Sequence, residues 1–369
     1  MLPYIYFAVL LINLIAYLSG KKSKFLSVVS VIFVVVFVAG IRYNETVIGY
    51  DLRNYAIHYA NPETIGGTEI GFKAVNYLGK MLGLSFEQFY MVLVSVCLCV
   101  VFLTVNRMKC NMHLFLVAYM LYFIMCPMSQ LRNMCAFAVF IHAFPLFRTG
   151  SSPKNMWRIY AHILVAALFH FTFILFLIYP LMLKRKNKAI LKGGIIVLIL
   201  GTVLTLLKQG VVIGKLFAPL MGLLGSVVVK YLQYFSTPTG IAPLCSIIIL
   251  VVVMLALKYW DKRCVKPYSQ DVMLLGENAN GIKRVCLLTS YFILLVLLNV
   301  TNYRFIRDIS LICIAHIGIN NPSKYAGLKT RVCIVGYTMA ISIGWFLFDI
   351  VIKGYWQSFL DGFFVNALI

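Results

Sequence analysis

Apolar runs of about 18 residues or more recur along the chain, separated by short polar breaks, and each is long enough to cross a bilayer as a helix. They place predicted spans at residues 2–19, 25–40, 88–106, 112–127, 132–147, 158–183, 190–207, 240–259, 285–302, 305–319 and 331–352. The pattern predicts an all-α polytopic membrane protein of about eleven spans (ten to twelve), built as one transmembrane domain over residues 1–369. Two connections are long, 41–88 and 208–240, and both are expected on the outer face. In the second, Lys208, Lys215 and Lys230 alternate with apolar and aromatic residues, as in an interfacial amphipathic helix. The first run, LPYIYFAVLLINLIAYLS, has no basic segment before it and ends at the basic stop KKSK. It reads as a retained span and not a cleaved signal. No internal repeat, low-complexity tract or soluble domain interrupts the pattern.

Charge refines this picture. The 369 residues are 62% hydrophobic and only 12% charged, with 33 basic against 11 acidic side chains and a formal net charge of +22. Nucleic acid is not the implied partner, because the basic residues are scattered through the short loops, where they act as topology signals. Clusters at 21–24, 107–109, 148–158, 258–266, 283–284 and 324–331 all face the cytoplasm if the N-terminus lies outside. One cluster resists: Lys184, Arg185, Lys186, Lys188 and Lys192 emerge on the wrong side if 158–183 is a single crossing. The preferred solution turns the chain back near His170 as two half-helices. The competing one makes KLFAPLMGLLGSVVVKYLQYF an extra span. The connection 41–88 holds five of the eleven acids and is the least basic loop. The ten cysteines form no CxxC pair, and Cys97, Cys99, Cys126, Cys135, Cys245 and Cys313 lie in apolar segments, as small packing residues do.

Against this topology a few arginines stand out. Arg42 ends the second span, Arg132 lies in CPMSQLRNMCAF, and Arg304 and Arg307 lie in NVTNYRFIRDIS, all near the predicted outer face. Arginine keeps its proton and is costly beside hydrocarbon, so at such depth it faces a bundle interior or a polar cavity. The matching ligand is an anion, and phosphate fits the guanidinium fork bidentately. Internal pairing is the alternative: Arg304 with Asp308 four residues on, or Arg42 with Asp51. Arg132 has no acid near it in sequence. His170, in AALFHFTF, is either a neutral core histidine bonded to a backbone carbonyl or a group that donates to substrate or moves a proton. Asp51, in IGYDLRNY with Arg53 and Tyr55, is a base, an arginine clamp or a loop cap. The histidines show no metal spacing such as HExxH, and no GxSxG elbow or Walker loop is present.

These segments resemble the EpsG family of Wzy-type polysaccharide polymerases. GYDLRNY after an arginine that ends a span resembles the family's G-x-D-x-x-N-Y, and EIGFKAVNYLG its acidic-glycine-phenylalanine step. QLRNMCAFAVF, LVAALFHFTFILF and NYRFIRDISL follow in the family's order. The departures are the ETVI insert before Gly49 and the phenylalanine after His170. The resemblance implies a membrane glycosyltransferase of GT-C-like architecture in the bacterial inner membrane. Its site would face the periplasm, need neither cofactor nor metal, and join undecaprenyl-diphosphate-linked repeat units into O-antigen, capsule or exopolysaccharide. Asp51 and His170 are the expected catalytic residues; Arg42, Arg53, Tyr55, Arg132, Tyr303, Arg304 and Arg307 are expected to bind the diphosphate-linked substrate. Expected partners are that lipid-linked oligosaccharide, membrane lipids, and chain-length regulator and flippase proteins, with no nucleic acid. The rival functions are an O-antigen ligase-like transferase and a transporter or flippase for the lipid-linked unit; the latter is disfavoured by the absence of paired repeats.

Overall fold

The computed structural model describes residues 2–20, 23–41, 50–61, 69–123, 130–148, 153–182, 187–206, 241–260, 285, 288–298, 302–318, 327–352 and 360. Among these the chain is helical, without a strand. The helices are α1 (Leu2–Ser19), α2 (Lys24–Ala39), α3 (Tyr50–Ala60), α4 (Ile70–Met81), α5 (Phe86–Arg107), α6 (Met112–Ala118) and α7 (Leu131–His142). They are followed by α8 (Pro153–Phe169), α9 (Ile178–Met182), α10 (Asn187–Leu206), α11 (Ala242–Trp260), α12 (Ile293–Leu298), α13 (Tyr303–Gly318) and α14 (Leu328–Leu347). Every predicted span overlaps one or more of them. Four stretches, 2–19, 86–107, 242–260 and 328–352, are long and apolar enough by themselves to cross a membrane, and shorter apolar helices lie between. Connection 208–240 falls outside the described residues.

Local chemistry sets the helix starts. Ser23 caps α2 by accepting from the Leu26 N–H at 3.2 Å, and Asn111 caps α6 through the N–H groups of His113 and Leu114. Ser85 and Gln88 form a reciprocal capping box at α5. Such caps satisfy the first N–H groups of a helix, which have no partner within it.

Burial orders the bundle. Apart from half-buried Arg304, every residue of α13 is buried, so this helix is central, as an all-round enclosed helix must be. It packs on α6 and α11. α1 is peripheral and presents Tyr4, Phe7, Leu11, Ile12 and Ile15 outward, as a lipid-facing helix does. A buried polar link holds it in place: Asn13 donates to the Ser30 hydroxyl of α2 at 2.9 Å, and its carbonyl oxygen meets His113 Nδ1 of α6 at 2.7 Å.

The chain breaks at His170 and doubles back. α7 and α8 run antiparallel, with the His142 and His162 rings 5.6 Å apart at one end and Arg132 and His170 gathered at the other. His170 is extended, at φ −148° and ψ 106°, and Phe171–Leu177 continue as a 3-10 segment. The Phe173 and Phe176 rings then lie 5.6 and 4.6 Å from that of Phe140, which is eight residues, about 12 Å, along α7 from Arg132. The segment after His170 therefore runs back opposite to the direction of α8, and α9 packs on α8. Aromatic and β-branched residues in HFTFILF favour leaving the α-helix here.

The start of α4 rests directly on this break. A Cβ at Gly71 would lie 2.8 Å from the Leu168 carbonyl oxygen, a backbone atom that cannot swing aside. Gly71→Ala should destabilise the protein by about 1–3 kcal/mol through overpacking. Gly336→Ala, in open space within α14, should be neutral or stabilise by about 0.5–1 kcal/mol. Thermal melting of the two variants in detergent checks this; equal melting temperatures would refute the close approach.

Candidate functional site

The close approach at Gly71 delivers the residue two positions earlier. Glu69 precedes α4 in an extended conformation, φ −65° and ψ 142°, and its side chain makes no bond to its own helix. It crosses instead to α7 and α8. Oε2 accepts from Arg132 Nη1 at 2.6 Å, while Oε1 lies 3.3 Å from His170 Nδ1 and 3.4 Å from the Phe171 backbone N–H. One carboxylate thus joins three elements. Phe171 contributes a backbone N–H that any residue except proline supplies, so the phenylalanine after the histidine leaves this contact intact.

Exposure differs within the cluster. The Glu69 and His170 side chains are 7% and 8% exposed, but Arg132 is 26% exposed. A guanidinium carries five donors, of which Glu69 engages Nη1 and the Tyr55 side chain takes a further hydrogen bond. The Tyr55 ring lies 5.8 Å from the Arg132 guanidinium carbon, within cation–π range. That ring is backed by Phe72 at 5.6 Å. Arg304, half-buried at the start of α13, lies within electrostatic reach of His170. Because Glu69 is ionised and can only accept, Nδ1 is the donor of His170, which leaves Nε2 as the acceptor of the neutral ring.

Two opposing effects act on Glu69, in the connection before α4. Burial pushes its carboxyl upward, but the His170 hydrogen bond and the Arg132 charge outweigh this and hold it down to about 2. A carboxylate so acidic is a weak proton acceptor at neutral pH. Its chemistry is that of an orienting anion.

A second, fully enclosed polar network adjoins the first. Arg307 Nε donates to Asp308 Oδ1 at 3.1 Å, and Asn133 Nδ2 donates to Asp308 Oδ2 at 3.0 Å. The Arg307 guanidinium also lies 5.6 Å from the Tyr303 ring. Tyr303 donates to Asp349 Oδ1 at 2.6 Å, Tyr122 donates to Asp349 Oδ2 at 2.7 Å, and Gln130 Nε2 donates to the Tyr303 hydroxyl at 3.0 Å. Tyr122 and Asp349 each lie in a π-helical turn, Tyr119–Phe123 and Phe348–Ile352, a local form that often accompanies functional sites.

The expected site residues therefore separate. Tyr55, Arg132 and His170 come together around Glu69, with Arg304 at their edge. Tyr303 and Arg307 are 0% and 1% exposed and belong to the enclosed network. Arg53 is exposed on α3. Arg42 and the Asp51 side chain lie outside the described residues, although the Asp51 backbone lies in the first turn of α3. One expectation about pairing changes, since Arg132 has its acid after all, 63 residues away in sequence; Asp308 feels the Arg304 charge as its spacing allows and also bonds to its neighbour Arg307. Glu69 and Asp349 were missed as site residues. Glu69 was visible in the EIGF step, and Asp349 as an acid within the last apolar run, a placement that itself signals a role. Among the described residues no group of three His, Cys, Asp or Glu is placed to hold a metal ion.

The depressed Glu69 carboxyl has a consequence for stability. Its folded value of about 2 lies below the ordinary 4.5, so the stabilisation is present above pH 4.5 and is lost as pH falls toward 2. Its full size is about 3 kcal/mol. Glu69→Gln should melt lower than wild type at pH 7 and show a shallower loss of stability between pH 4.5 and 2. Parallel acid-unfolding curves for the two proteins would contradict the ion pair.

A profile of the EpsG family matches residues 24–361, a span that contains both polar networks. Neither a curated protein nor a solved structure matches the chain significantly. By a match over most of its length, this chain belongs to the EpsG family.

Proposed function

We propose that this protein is a polysaccharide polymerase that joins oligosaccharide repeat units carried on undecaprenyl diphosphate, working at the periplasmic face of the bacterial inner membrane. Family membership supports a polysaccharide polymerase-like role in a membrane protein. The reading of about eleven crossings, a GT-C-like architecture and an outward-facing site rests on the charge distribution and on the resemblance. The observation that carries the reaction is the joining of Arg132 and His170 by Glu69, with Arg304 within electrostatic reach of the same histidine.

In the proposed reaction a hydroxyl of one lipid-linked repeat attacks the anomeric carbon of the growing chain. A new C–O glycosidic bond forms, the bond from that carbon to the diphosphate oxygen breaks, and undecaprenyl diphosphate leaves with the electron pair. Negative charge grows on the leaving group. Arg132 and Arg304 stabilise it more in the transition state than in the ground state. His170 Nε2 takes the hydroxyl proton while Glu69 holds the ring through Nδ1; Asp51 is the other candidate for this proton. Tyr55 steadies the Arg132 guanidinium, Arg42 and Arg53 extend the basic mouth of the site, and Tyr303 and Arg307 support it from below. The transporter reading gives no role to an oriented histidine beside a guanidinium pair.

Replacement series test the assignment. Arg132→Ala and Arg304→Ala should abolish long chains, and Lys at either position should restore activity only in part, because it keeps the charge without the bidentate fork. His170→Ala should lower the rate by roughly two to four orders of magnitude with normal membrane abundance. Chain-length profiles of surface glycan, with abundance checked by immunoblot, decide the matter. Loss of long chains with retention of single capped repeats marks a polymerase. Complete loss of glycan points to a ligase or flippase, and wild-type-length polymer from both alanine variants removes the arginine clamp.

A further inference from the structure

We infer that Asp349, acting through Tyr303 and Gln130, is a positioning residue that fixes the separation of Arg132 and Arg304 so that the pair fits a diphosphate and not a single phosphate. This rests on the polymerase reading and assigns part of its substrate selectivity. Arg132 and Arg304 lie on helices α7 and α13, far apart in sequence, and both act electrostatically on His170. Two guanidinium groups that both act on one histidine also repel each other, so what sets their spacing lies outside the pair.

The enclosed network supplies that constraint. Gln130 is the residue at the start of α7, two positions before Arg132, and Tyr303 opens α13 immediately before Arg304. The Gln130 Nε2 to Tyr303 hydroxyl bond at 3.0 Å therefore ties the two helix starts at the very residues that lead into the arginines. The Tyr303 hydroxyl can accept from Gln130 only while its own proton is directed elsewhere, and Asp349 Oδ1 takes it at 2.6 Å. That bond fixes the direction of the Tyr303 hydroxyl and leaves its lone pair to Gln130. Asp349 Oδ2 is meanwhile held by Tyr122 at 2.7 Å. Asparagine could not take its place unchanged, since it offers one acceptor oxygen where two hydroxyls donate.

A second tie lies one turn along the same two helices. Asn133 on α7 donates to Asp308 on α13 at 3.0 Å, and Arg307 holds the other oxygen of that acid. Two attachments along one pair of helices fix their rotation as well as their distance. The arginines are thus presented at a set spacing before any ligand arrives, which is the condition for electrostatic preorganisation. Two linked phosphate groups engage both arginines at once, whereas one phosphate engages one.

The test uses the purified full-length chain in nanodiscs, with undecaprenyl diphosphate and undecaprenyl monophosphate as probes. Wild type should bind the diphosphate at least tenfold more tightly. Tyr303→Phe and Asp349→Asn should lower that preference about fivefold or more, through loss of diphosphate affinity with monophosphate affinity unchanged. Tyr303→Phe removes a single oxygen and keeps the ring beneath Arg307, so it carries the decision should Asp349→Asn fail to assemble. Asn13→Leu breaks a buried link elsewhere in the bundle and should lower the melting temperature while leaving the preference intact. An equal fall of the preference in Asn13→Leu would indicate general loosening and overturn the inference. A wild-type preference that survives in Tyr303→Phe overturns the inference and leaves the polymerase reading standing. A wild-type chain that binds both lipids alike overturns both.

Discussion

An ionised carboxylate in an apolar interior is tolerated only where donors and cations surround it. Glu69 imposes that condition on the segments that meet at the site. Its two oxygens require a cation from α7, a ring N–H at the break after α8 and a backbone N–H from the 3-10 segment. The backbone has to be broken at His170 for the last of these to be available, because inside a continuous α-helix the Phe171 N–H would be committed to its own ladder. The approach of Gly71 to Leu168 then follows, since only a residue without a side chain lets α4 sit close enough to bring the carboxylate in. Glycine, break, carboxylate and arginine are one arrangement and not four separate features.

The same constraint recurs around the central helix. Helices in a bilayer gain little from excluding water, so van der Waals packing and directed polar contacts carry a large share of the specificity of their association. Asp308 and Asp349 provide such contacts. Between them they connect α7, α13, the turn after α6 and the turn after α14, each through a bond with one geometry. Aromatic packing reinforces the junction, with Tyr303 4.5 Å from Phe348 and 5.7 Å from Trp345. The cost of leaving any of these acids unpaired makes the network cooperative: removing one partner leaves a buried polar group without its hydrogen bond.

This division suits the proposed chemistry. In that proposal the partly exposed Arg132 and Arg304 meet the ligand, while the enclosed Arg307 is held by Asp308. His170 is oriented by a carboxylate too acidic to compete for the transferred proton. Such a site needs little movement to work, because the charges that would stabilise a departing diphosphate are in place beforehand.

Much of this was readable from the order of residues alone. Hydrophobic runs of bilayer length fix the helical class, since a backbone in lipid must satisfy its own hydrogen bonds. The clash between the basic cluster after Met182 and the charge rule required either a return of the chain near His170 or an extra span. The arginines at 132 and 304 and the histidine at 170 stood out because ionisable groups are rare at that depth. What the sequence did not determine was pairing. Arg132 looked unpartnered because its acid is 63 residues away, and helical spacing brings Asp308 under the charge of Arg304 but does not reveal that Arg307 and Asn133 hydrogen-bond to it. Asp349 carries no sign in its neighbourhood that it joins Tyr122 and Tyr303, 227 and 46 residues away. Periodicity and composition act along the chain and so reveal elements. A hydrogen bond between helices depends on their rotation and depth relative to one another, and only the packed tertiary structure decides those.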